Sequence, residues 1–264
     1  MVRSSSHAAR RSGFGLLLSK VPEVTIFFWI IKVLATTVGE SAADFLSDNL
    51  GLGLTNTTYM IGAILIAALV FQFRSDRYVP GIYWLAVVLL SIVGTLITDN
   101  LVDNLRISLV LSAVVFAVGL AICFAVWFVS ERTLSIQSIR TRRREAFYWS
   151  TIMFTFALGT AVGDLLAENL AVGYWKSALI CAGAIALVTA ARYMTGLNAI
   201  LAFWIAYILT RPLGASIGDY LSQKRAEGGL GVGTLGTSIA FLATIVVVVS
   251  YLTASKRDQV VVAP

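Results

Sequence analysis

An all-α membrane protein of eight transmembrane helices, built as four parallel two-helix repeats pseudo-symmetric about the membrane normal, is the fold class this sequence predicts. Three observations predict it. Hydrophobic residues make up 58% of the 264 residues and charged residues only 13%, with a mean hydropathy of +0.85. Eight apolar segments each approach the length that crosses a bilayer. A block of tryptophan, glycine and aspartate recurs four times at fixed internal spacing.

A soluble domain carries roughly 25% charged residues, so much of this chain's surface must face lipid. The apolar segments run near 24–46, 57–73, 80–101, 108–130, 146–167, 175–192, 197–219 and 234–254. Helix is required of them, because lipid offers backbone groups no partners, and an outer-membrane barrel would show strands of about ten alternating residues instead. Around them the expected organisation is a disordered basic cytoplasmic tail over 1–21 and a transmembrane domain over 22–255. A short cytoplasmic tail follows over 256–264, and the repeats fall near 22–76, 77–136, 142–196 and 197–255. The Arg10-Arg11 pair faintly suggests a twin-arginine signal, but the apolar stretch after it is short and lacks a small-residue cleavage site.

The net charge of +6 does not read as a nucleic-acid footprint, because the bases lie in short inter-helix segments. Of the 20 Lys and Arg residues, 14 fall in the amino-terminal tail or after the second, fourth, sixth and eighth spans, with Arg140 to Arg144 the densest group. By the positive-inside rule both termini are then cytoplasmic, in a cell inner (plasma) membrane, with membrane lipid as the first partner. Cys123 and Cys181 lie in apolar runs and His7 is the sole histidine, so disulfide and soft-metal chemistry have no framework. No cofactor is expected.

Trp29, Trp84, Trp149 and Trp204 are each preceded by Phe or Tyr. Ten residues on stand Gly39, Gly94, Gly159 and Gly214, and fifteen on stand Asp44, Asp99, Asp164 and Asp219. Nineteen on come Asp48, Asp103, Glu168 and Gln223. The tryptophans are 55, 65 and 55 residues apart, the longer gap absorbed by the basic linker. Each unit holds two spans, so all copies share one topology and are related by an axis along the membrane normal. This pattern resembles a bacterial integral membrane family of four tandem two-transmembrane repeats of unknown function, each with a characteristic tryptophan. The resemblance covers about 22–255 and implies the fold and a membrane location. It implies no reaction.

On the odd helices, residues four apart form one drifting stripe. It reads Lys32, Thr36, Glu40, Asp44, Asp48 in the first unit and Val87, Ser91, Thr95, Asp99, Asp103 in the second. The third gives Ile152, Phe156, Thr160, Asp164, Glu168, and the fourth Tyr207, Arg211, Ala215, Asp219, Gln223. A face so polar should point into the bundle. Small residues before each Asp (Ala43, Thr98, Gly163, Gly218) lie four beyond the repeated glycine and allow close backbone approach. The odd helices should therefore pack centrally, in a pseudo-fourfold or two-plus-two arrangement, with the even helices as a shield. Fifteen residues of helix span ~22 Å, which puts the aspartates in the outer part of the membrane. They could equally be hydrated residues that end each helix.

Asp44, Asp99, Asp164, Asp219 and Glu40 are the candidate cation or proton ligands, hard oxygens suited to Mg²⁺, Mn²⁺, Ca²⁺ or protons. Asp48, Asp103, Glu168, Thr95, Thr160 and Arg211 are auxiliary or gating candidates. Arg211 lies mid-span and needs a partner, with Glu40 or Asp164 in reach, and Pro212 after it should bend the seventh helix. Lys32 is expected to snorkel to the cytoplasmic side. The tryptophans most simply form an interfacial belt, with a pore plug as the alternative. The expected function is a small secondary transporter, a Mn/Mg-like divalent-cation or proton-coupled exporter. The alternative is a non-transporting protein whose acidic cluster is structural or binds a partner. An enzyme is not expected, because no Ser-His or Cys-His pair and no phosphate loop is present, and Gly228 to Gly233 read as a plain loop.

Overall fold

The structure is a computed structural model that describes residues 19–259. Eight long helices follow one another: α1 (Ile26–Asp44), α2 (Leu54–Arg74), α3 (Pro80–Asp99), α4 (Leu109–Glu131), α5 (Arg142–Asp164), α6 (Tyr174–Met194), α7 (Ala199–Ser222) and α8 (Thr234–Ser255). All eight are long and apolar enough to cross a membrane. In units one, three and four the even helix starts at a glycine, Gly53, Gly173 or Gly233, with φ between 75° and 85°. A side chain would be strained in that left-handed conformation. Unit two starts its even helix differently, with the Ser108 hydroxyl accepting from the Leu111 amide.

Burial sorts the helices into two shells. Among the spans, α1, α3, α5 and α7 are 56–78% buried, whereas α2, α4, α6 and α8 are only 17–22% buried. The odd helices form a closed ring in which α1 packs on α3, α3 on α5, α5 on α7 and α7 back on α1. Each even helix packs mainly on the odd helix of the following unit: α2 on α3, α4 on α5, α6 on α7 and α8 on α1. No unit can therefore bury its own apolar faces alone, which is the usual logic of a repeat fold.

Two repeated contacts fix this cyclic order. A Cβ placed on Gly39, Gly94, Gly159 or Gly214 would collide with Ser91, Phe156, Arg211 or Thr36 respectively. Each glycine thus receives the residue seven after the tryptophan of the next unit, and the fourth unit closes onto the first. The aromatic residue before each tryptophan does the same. Phe28 meets Trp84 with ring centroids 5.6 Å apart, Tyr83 meets Trp149 at 5.4 Å, Tyr148 meets Trp204 at 6.3 Å, and Phe203 meets Trp29 at 5.6 Å. Of the two arrangements open to the sequence, the ring is the one formed.

Close approach also permits side chain to backbone bonds between helices. Thr98 Oγ1 donates to the Ala157 carbonyl at 3.1 Å, and Thr36 Oγ1 to the Thr210 carbonyl at 3.2 Å. Such bonds are individually modest in membranes, so Thr98→Val should cost about 0.6 kcal/mol. Thermal unfolding in detergent checks this, and a loss of several kcal/mol would mean that Thr98 holds more than one contact.

Several expectations need correction here. Three of the four repeat tryptophans, Trp84, Trp149 and Trp204, are buried and Trp29 is half-buried, so they form an inward aromatic layer and not a lipid-facing belt. The reason is that each packs against the aromatic residue before the tryptophan of the preceding unit in the ring, which turns it away from lipid. Lys32 does not snorkel: it is 1% exposed, with Nζ 4.2 Å from the Phe156 ring centroid and 4.3 Å from that of Tyr207. It lies on the same inward stripe as Glu40, and neighbouring helices cover its route to the surface.

Of the expected tails over 1–21 and 256–264, residues 1–18 and 260–264 lie outside the described residues, and the described residues next to the spans are held in place. Lys20 is buried and pairs with Glu145 at 2.6 Å, and Glu145 also accepts from Gln72 at 2.9 Å. Asp258 is 1% exposed and accepts from the Tyr78 hydroxyl at 2.5 Å, while its carbonyl accepts from the Glu23 amide. Burial, and then the Asp258 carboxylate, push the Tyr78 phenol well above its ordinary range, so it remains a donor. These contacts tie both ends of the chain onto the tryptophan end of the bundle.

Candidate functional site

At the opposite end of the ring the repeated aspartates meet. Asp44, Asp99 and Asp164 end their α-helical runs on the inward stripe, and in these three units a π-helical turn follows at once: Phe45–Asn49, Asn100–Asn104 and Leu165–Asn169. Their widened bonds run from Leu50 to Phe45, from Leu105 to Asn100 and from Leu170 to Leu165, at 2.9–3.0 Å. Such turns are rare and cluster at functional sites. The fourth unit departs: α7 continues as α-helix to Ser222, and its Asp219 is buried.

One cavity of about 180 Å³ gathers these side chains. Its lining includes Asp44, Asp99, Asp164, Asp219 and Glu40, with Asp48 and Asp103 at an exposed rim. Every unit contributes its aspartate to this shared space, and the lining contains no Lys or Arg. Gln223 also lines it and donates to Asp44 at 3.4 Å. The side chain of Glu168, an auxiliary candidate, lies outside the described residues.

Glu40, Asp164 and Asp219 come closest, each offering one oxygen with all three atoms within 4.8 Å of one another. Oxygens so placed can share one hard cation, whose bonds to oxygen run ~2.0–2.6 Å. Two unit charges 5 Å apart repel by about 3 kcal/mol at an effective dielectric of 20. A bound cation or a shared proton relieves that repulsion.

Beyond the lining, Glu40 is paired with Arg211. Its guanidinium reaches across the axis to every other unit: Nη2 donates to Glu40 at 3.0 Å, to Thr160 at 2.7 Å and to Thr95, and Nη1 to the Thr36 carbonyl at 3.3 Å. Glu40, one of the two partners expected for it, forms this ion pair. Thr95 also donates to Glu40 at 3.3 Å. Thr95 and Thr160 therefore serve the arginine and do not line the cavity. Pro212, next to Arg211, packs against Gly159 and Gly163 of α5.

The repeat that builds this site is a recognised one. Residues 27–78, 82–133, 147–197 and 202–258 each match the family described as Repeat of Unknown Function (DUF347). The chain belongs to this family. No curated protein and no solved structure matches it. The four DUF347 copies coincide with the four two-helix units, so the units that share an aspartate are also the units of the family.

Within this DUF347 chain, sequence reasoning found all the carboxylates of the cavity, because their four-residue spacing marks the inward face. It missed Ser47, which lines the cavity, and the burial of Lys32. It also passed over Tyr83 and Tyr148 and gave Tyr207, which it placed on the inward stripe, no role; all three are fully buried on the ring helices. The signal for two of them was present, since Tyr83 and Tyr148 stand where the other units have Phe28 and Phe203.

Proposed function

We propose that the chain is a small secondary transporter in the cell inner membrane, with both termini cytoplasmic, that moves a hard divalent cation of the Mn/Mg class or protons. The supporting observation is that carboxylates from all four units share one cavity, and that one of them, Glu40, is paired with the buried Arg211. Orientation rests on the Lys and Arg distribution, which places the acidic cavity on the outer side.

The chemistry follows from Glu40 standing in two sets. It accepts from Arg211, and it belongs to the close triad with Asp164 and Asp219. A cation entering the cavity competes with Arg211 for the same carboxylate. Filling the triad therefore weakens the contact that seals the axis, and emptying it restores the seal. Ligand occupancy and the Arg211–Glu40 contact are in this way opposed, as alternating exposure of a site requires. No enzymatic step is part of this reading.

Proteoliposomes containing the full chain test it, with Mn²⁺ and Mg²⁺ as separate probes. Asp219→Asn and Asp164→Asn each remove one charge from the triad and should weaken Mn²⁺ binding by roughly tenfold or more, about 1.4 kcal/mol. Uptake indistinguishable from empty vesicles for both ions and for protons would remove transport. A second reading, a non-transporting membrane protein whose acidic cavity is structural or holds a partner, draws on the filled axis below Arg211. It would be favoured if flux were absent while a basic protein copurified and was lost in the Asp219→Asn variant.

A further inference from the structure

Below Arg211 the ring should need only apolar filling, yet it holds a file of polar side chains. Tyr83 and Tyr148 occupy the position before the repeat tryptophan, where Phe28 and Phe203 serve the other two units. Tyr207 and Lys32 occupy the position three after it, where the other units have Val87 and Ile152. All four polar residues are buried. A buried hydroxyl or amine costs about 1–3 kcal/mol when left without a partner, so a layer that only filled space would keep Phe, Val and Ile.

Two links of the file are hydrogen bonds, Tyr148 to Tyr83 and Tyr78 to Asp258, and two are ring contacts, Lys32 over Tyr207 and Tyr83 against Tyr78. Lys32 Nζ lies over the Tyr207 ring, and among the described residues it has no hydrogen-bond partner. The Tyr207 hydroxyl interacts with that of Tyr148 but makes no well-formed hydrogen bond among the described residues. Tyr148 and Tyr83 are hydrogen-bonded through their hydroxyls. The Tyr83 ring meets Tyr78 edge-on with centroids 5.5 Å apart, and Tyr78 donates to Asp258 at the end of the bundle that holds the termini. At the other end, Thr36 lies between Lys32 and Glu40 on the stripe of α1. The charged and titratable groups facing this file are Arg211 and Tyr207 from α7, Tyr148 from α5, Tyr83 from α3 and Asp258 from the carboxyl-terminal segment.

We propose that Lys32, Tyr207, Tyr148, Tyr83, Tyr78 and Asp258 form a proton path that joins the acidic cavity to the opposite face of the membrane, and that the coupling ion of the transporter is therefore H⁺. This rests on the transport reading above. A hydroxyl both donates and accepts, so each tyrosine takes a proton on one side and releases its own on the other. The Lys32 ammonium gives its proton to the tyrosine file and the resulting amine takes one from the Glu40 side. One proton leaves the cavity and one appears at Asp258, with no net change in any bond. The aromatic rings around the file keep metal ions out while the hydroxyls pass protons, so the two ions use different parts of one axis.

The test uses the full chain in vesicles with an internal pH-sensitive dye and a Mn²⁺ gradient. Tyr148→Phe keeps the ring and removes the hydroxyl, and Lys32→Met removes the amine. Each should reduce Mn²⁺-driven proton flux by roughly tenfold or more, while Mn²⁺ binding to the purified protein stays at its wild-type level. Tyr78→Phe, at the edge of the bundle, gives the same reading if an internal variant does not fold. Unchanged proton flux in these variants overturns the path. Wild-type protein that carries Mn²⁺ without protons also overturns it and leaves transport standing, whereas wild-type protein that carries neither overturns both.

Discussion

Arg211→Met should destabilise the protein by about 3–5 kcal/mol, the usual cost of stripping one partner from a buried ion pair. Glu40 is only 5% exposed and would lose its cationic partner, with Thr95 still donating to it. Thr160 and the Thr36 carbonyl would lose a donor at the same time. The double variant Arg211→Met/Glu40→Leu removes both charges, and most of the loss should be recovered, since apolar replacements of whole buried pairs are often neutral. Thermal unfolding in detergent, followed by tryptophan fluorescence, reads both. A double variant as unstable as the single one would mean that Glu40 is held by something other than Arg211. The same single variant should also leak cations, because the guanidinium that bonds the three other units across the axis is gone.

Gly159→Leu should cost about 3 kcal/mol, the upper end of what overpacking a tight contact costs. A Cβ at this position would lie 2.2 Å from Arg211 Cγ and 2.4 Å from its Cβ. Those atoms are the stem of the side chain, close to the backbone, so a rotamer change cannot clear them. The two helices α5 and α7 must move apart, and because the ring is closed the displacement passes to its other contacts. Gly183 on the outer helix α6 meets nothing within 4 Å, so Gly183→Leu is the matched control and should leave the melting temperature within a degree or two. Equal losses at both positions would show that leucine acts through helix propensity or insertion, and not through the ring contact.

The glycine and the arginine show how far the one-dimensional pattern reaches. The spacing of Trp, Gly and Asp tells which residues share a face, because successive positions advance 100° around a helix. That alone puts Glu40, Asp44, Asp99, Asp164 and Asp219 on inward stripes. It does not tell which neighbour fills Gly159. The partner is Arg211 of the next unit, and only the cyclic order of the helices reveals it. Lys32 is the same lesson in reverse: its stripe was legible, yet its distance from the membrane edge suggested a route to solvent that packing closes.

By itself, then, the sequence determined that this chain crosses a membrane eight times in four equivalent units and turns its carboxylates inward. The reason is that lipid forbids unpaired backbone and penalises outward charge, and both constraints act locally along each helix. Only the tertiary structure decided that α2, α4, α6 and α8 each cover the ring helix of the following unit. It also decided that the tryptophans close inward and that Lys20 and Asp258 fasten the chain ends. Those outcomes depend on which surfaces meet across the bundle, and the free energy of a contact belongs to two surfaces at once, so no single helix encodes it.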